Sequence, residues 1–78
     1  MDFILTPTVT RTSGSGSTAA NLFAVSIANV GLNDDAEVLG TILKKGEVVS
    51  FEARTGYGLD AIDYDAGTSE LLITTLGG

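Results

Sequence analysis

The chain has 78 residues, and Cys, His, Trp and Gln are absent from it. Ten acidic residues against four basic ones leave a net charge of −6. Disulfides, thiolate metal centres and every His-based catalytic arrangement are thereby excluded, and the basic footprint of a nucleic-acid binder is missing.

At this size a domain buries only about 60% of the surface its unfolded chain exposes. Small chains of this kind add a disulfide, a metal or a partner subunit, and here the first two routes are closed or poorly supplied. Oligomerisation or docking on a larger body is the remaining support. Apolar residues make up 44% and charged residues 18%, a globular composition. No apolar run is long enough to span a bilayer, and the first residues lack a basic leader, so the chain is expected to be soluble.

In chain order, Asp2–Thr10 reads as extended, with Phe3 and Leu5 on one face. Pro7 restricts it to an edge strand or a free arm. Ser13-Gly14-Ser15-Gly16-Ser17-Thr18 reads as a flexible hinge. Residues 1–18 are therefore expected to be an arm and hinge, and residues 19–78 the folded domain. Asn21–Val30 alternates, placing Phe23, Val25 and Ile27 together, although a helix over Ser17–Val30 is the rival reading. Glu37–Leu43 reads as one strand, with Val38, Gly40 and Ile42 opposite Leu39, Thr41 and Leu43.

Glu47–Arg54 turns Val49, Phe51 and Ala53 inward. Leu59–Asp65 places Ile62 and Tyr64 together, with a short helix over Gly58–Tyr64 as the alternative. Glu70–Leu76 separates Leu72, Thr74 and Leu76 from Leu71, Ile73 and Thr75. Hairpins are expected at Lys44–Glu47, where Gly46 can take positive φ, and at Asp65–Ser69. The sum is an all-β antiparallel sandwich or barrel of about six strands with an extended N-terminal arm.

Few residues suggest chemistry. Gly14-Ser15-Gly16-Ser17-Thr18-Ala19, with Asp34 downstream, fits a dinucleotide-binding spacing. That site needs a βαβ unit, which the following strand-like sequence does not supply. Asp63, Asp65 and Glu70 surround a glycine turn and are the candidate oxygens for a cation such as calcium; the competing reading is an Asx turn capped by Asp65. No carboxylate pair has a context suited to acid–base catalysis, so no catalytic residue, cofactor or enzymatic activity is expected. Tyr57, between two glycines, is a candidate contact residue. Tyr64 reads as core.

Certain segments carry a family resemblance. Ala28-Asn29-Val30 ends an apolar strand before a polar break. Leu43-Lys44-Lys45-Gly46-Glu47-Val48-Val49-Ser50-Phe51-Glu52-Ala53 and Ser69-Glu70-Leu71-Leu72-Ile73-Thr74-Thr75-Leu76 follow. Across Asn21 to Gly78 this pattern resembles small β-sandwich structural proteins of tailed-phage virions, namely head decoration or cement proteins and fibre-base modules. The resemblance implies a capsid decoration role on the outer surface of a virion. It further implies self-association, with a trimer by analogy, and a capsid or other virion protein as partner. Nucleic acid and membrane are not expected partners. The arm contacts would be Phe3, Ile4 and Leu5. The rival function is a small adhesin or carbohydrate-binding module using Tyr57 and the Asp63–Glu70 loop, with or without calcium.

Overall fold

A computed structural model describes residues 6–54 and 57–77. Phe3, Ile4 and Leu5 lie outside the described residues. Among the described residues eight strands form: β1 Thr6–Thr12, β2 Ser15–Ser17, β3 Ala24–Asn29, β4 Ala36–Val38, β5 Thr41–Leu43, β6 Val48–Glu52, β7 Asp63–Asp65 and β8 Leu71–Gly77. They build two four-stranded antiparallel sheets, sheet A in the order β1-β8-β3-β6 and sheet B in the order β2-β7-β4-β5. No helix forms among the described residues, which removes the helical alternatives for Ser17–Val30 and Gly58–Tyr64.

Period-two alternation sets the core. Val25 and Ile27 of β3 and Leu71 and Ile73 of β8 point inward from sheet A and are buried. They meet Ala36, Val38, Leu43, Ile62 and Ala66, with Val49, Phe51, Leu59 and Tyr64 packed around them. β1 pairs with β8 over its whole length, from Thr6 opposite Gly77 to Thr12 opposite Leu71. Pro7 is tolerated because β1 is an edge strand, where a missing N–H leaves no ladder bond unmade.

Several expectations change. The Ser/Gly stretch read as a hinge carries β2, which crosses to sheet B and pairs with β7, Gly16 opposite Tyr64. A Cβ at Gly16 would stand 2.7 Å from the Tyr64 hydroxyl oxygen, so this glycine seats a ring rather than loosening a linker. Glu37–Leu43 is not one strand but the β4–β5 hairpin. Leu39 and Gly40 turn it with φ of 52° and 78°, the pair of positive values a two-residue type I′ turn requires.

Conversely, the turns at Lys44–Glu47 and Asp65–Ser69 form but are not hairpins. β5 and β6 lie in different sheets, as do β7 and β8, so both turns are arches across the sandwich. Only Asp63–Asp65 of the expected Leu59–Asp65 strand is regular. The residues before it run beside Thr18–Leu22 through the Leu22–Leu59 bridge and a two-way clamp of Thr18 on Ile62.

Asn29 is the polar centre of this scaffold. It occupies an inward position of β3 and is 1% exposed. Its side-chain amide donates to the Leu43 carbonyl at 2.8 Å and to the Asp34 carbonyl at 2.9 Å. Its Oδ1 accepts from Ser69 Oγ at 2.7 Å and from the Gly31 N–H at 3.0 Å. One side chain thus ties the 31–35 loop, the end of β5 and the turn before β8 together. Gly31 fits because any Cβ there would collide with Ser69 Oγ.

Candidate docking faces

The two outer faces differ sharply in charge. On sheet B, pairing sets Ser15 and Glu37 beside Asp65, and Ser17 beside Asp63. Glu37, Asp63 and Asp65 are all exposed there, and Glu37 stands directly opposite Asp65. Like charges in that position oppose folding, so this face keeps an electrostatic cost that neutral residues would not. The Ser17 hydroxyl donates to Asp63 Oδ1, which offsets part of it.

Sheet A presents the reverse. Its outward residues are Pro7, Val9 and Arg11 on β1, Leu72, Thr74 and Leu76 on β8, Ala24, Ser26 and Ala28 on β3, and Val48, Ser50 and Glu52 on β6. Small or apolar side chains fill the centre. A shallow groove of about 450 Å³ runs over it, lined by Pro7, Ala24, Ser26, Ser50, Thr74 and Leu76, with Glu52 as its charged lining residue. Arg11, at the opposite corner, pairs with Glu70 at 3.4 Å. No layer of this chain covers the face among the described residues.

The residues expected to bind a cation do not converge. Asp63 and Asp65 point outward from sheet B, and Asp65 Oδ1 accepts the Gly67 N–H at 2.8 Å, the Asx turn of the competing reading. Glu70 is engaged with Arg11 beside sheet A. No group of three potential ligands close enough to hold a metal ion occurs among the described residues. The glycine-rich dinucleotide spacing falls on β2, with no helix after it to receive a phosphate. Tyr57 is 71% exposed, its N–H donating to the Arg54 carbonyl at 2.9 Å. Tyr64 is half-buried and packs on the core.

Sequence reasoning missed the outer face of sheet A. Its signal is weak, because each strand contributes only alternate small residues and the face becomes visible only once the strand order is known. The chain matches no family model, and it matches no curated protein and no solved structure.

Proposed function

We propose that this chain is a non-enzymatic structural subunit. It docks through the outer face of sheet A onto the protein shell of a larger particle, in the role of a virion decoration or cement protein. The observation that carries this reading is the charge contrast between the two sheets. A flat face whose centre is uncharged loses little on desolvation when a protein surface covers it, whereas burying three carboxylates would cost much more. The acidic face is then the one left toward solvent, where its charge favours solubility.

The shell protein is expected to offer a flat, largely neutral surface. Ser26 lies at the centre of the face, opposite Thr74 on one side and Ser50 on the other. Ser26→Lys would place an ammonium there without disturbing the core. The reading predicts that the protein occurs at fixed stoichiometry in purified particles and that Ser26→Lys abolishes its attachment while leaving the fold intact. Attachment of Ser26→Lys at full strength would refute it.

A further inference from the structure

We infer that two copies of this chain join edge to edge through β6, forming one continuous eight-stranded sheet about a two-fold axis perpendicular to sheet A. Among the described residues four strands end the two sheets: β1, β2, β5 and β6. β1 carries Pro7 and Arg11 and is blunted against pairing. β2 and β5 are three residues each. β6, with sequence Val-Val-Ser-Phe-Glu, is longer and has no proline and no cation. Of the devices by which natural edges avoid a partner it has a single one, the charge of Glu52 at its end.

The backbone of β6 faces outward in the required phase. Asn29 N–H donates to the Glu47 carbonyl and Ala53 N–H to the Phe23 carbonyl. Antiparallel alternation then directs the N–H and C=O groups of Val48, Ser50 and Glu52 to the free edge. A register centred on Ser50 pairs all five residues of the strand. It sets Val48 opposite Glu52 of the second copy and Ser50 opposite Ser50, so no like charges meet. On the inner side, Val49 of one copy meets Phe51 of the other. Both are only half-buried in the single chain, because the sandwich is open there.

That open side is an apolar cleft of about 240 Å³ between β5 and β6, lined by Val38, Leu39, Ile42, Leu43, Val49 and Phe51. Leu39 at its lip is an independent sign. It is 56% exposed and holds φ of 52°, a conformation that favours Gly or Asn. Folding of one chain gives no reason for a leucine there, whereas closure of the cleft by a second copy does.

At its ends the register sets Arg54 of one copy opposite Gly46 of the other, so Glu52 and Arg54 on one side meet Lys44, Lys45 and Glu47 on the other, a mixed set of charges that does not itself select the register. Because the axis is perpendicular to the sheet, the outer faces of sheet A in the two copies point the same way. The self-association stands on β6 and the cleft alone and does not depend on the docking reading.

The test is sedimentation equilibrium of the full chain from micromolar to millimolar concentration. Wild type should show a monomer–dimer equilibrium. Ser50→Lys sets two lysines opposite each other and should weaken dimerisation about tenfold or more. Ser50→Glu should do the same, and mixing the two variants should restore the dimer. Leu39→Asn should weaken association while leaving thermal stability equal or higher. A dimer in Ser26→Lys that no longer attaches to particles separates the two proposals. A monomeric wild type, a trimer, or undiminished dimerisation of both Ser50 variants would overturn the inference, and a folded-state spectrum of each variant excludes misfolding as the cause.

Discussion

Replacing Asn29 by Ala should be among the most damaging single changes in the chain. The substitution removes four side-chain hydrogen bonds at once. Two of the orphaned groups, the Leu43 carbonyl and Ser69 Oγ, have buried partners in these bonds, and each costs about 1–3 kcal/mol when left unpaired. The Asp34 carbonyl and Gly31 N–H are part-buried, and water can recover much of their loss. The two buried losses come to about 2–6 kcal/mol. A domain of this length holds roughly 4–12 kcal/mol in all, so the variant should be close to unfolding at room temperature.

Urea denaturation read by circular dichroism measures the loss directly. A Ser69→Ala variant should cost only about 1 kcal/mol, and the double variant should cost little more than Asn29→Ala alone, because both remove the same bond. If Asn29→Ala costs under about 1 kcal/mol, or if the two changes add, Asn29 is not the hub described.

Gly58→Ala should destabilise by about 2 kcal/mol or more and Gly16→Ala by about 1 kcal/mol, as measured by denaturant midpoints. A Cβ at Gly58 meets the Asn21 backbone at 2.7 Å, which cannot yield, while at Gly16 it meets the far end of the Tyr64 side chain at the same distance. Glu37→Lys should stabilise by about 0.5 kcal/mol at low salt and by less at high salt, through relief of the pair with Asp65. Leu39→Asn should raise stability by about 0.5 kcal/mol by easing the positive φ. Deleting residues 1–12 removes all of β1 and leaves β8 as a bare edge, so the truncated chain should lose cooperative unfolding.

Alternation made the sheet A strands readable. Val25 and Ile27, Val49 and Phe51, and Leu71 and Ile73 keep strict period two because one side of each strand meets the core and the other does not. Sheet B was less readable because its strands are short and its turns are hidden. The run from Val38 to Leu43 looks continuous when Leu39 occupies a turn position usually held by Asn or Gly. Gly46 and Gly67 do mark turns, with φ of 80° and 57°, but a turn glycine cannot say whether the flanking strands share a sheet. The β2 residues Ser15–Ser17 show no apolar pattern and are held by backbone pairing with β7.

Asn29 had a legible signal: a polar residue at an inward position of an apolar strand must find partners within the fold. The outer face of sheet A had only a weak one, since Ser26, Ser50 and Thr74 look like ordinary surface residues until three strands set them in one row.

We propose attachment through the face of sheet A whose centre is uncharged. The most direct measurement is the copy number of this chain in purified particles, determined by quantitative mass spectrometry for wild type and for Ser26→Lys. Wild type should be present at a fixed integral ratio to the shell protein, and the chain should be lost from Ser26→Lys particles. Absence of the wild-type chain from particles, or equal copy numbers for both forms, would contradict it.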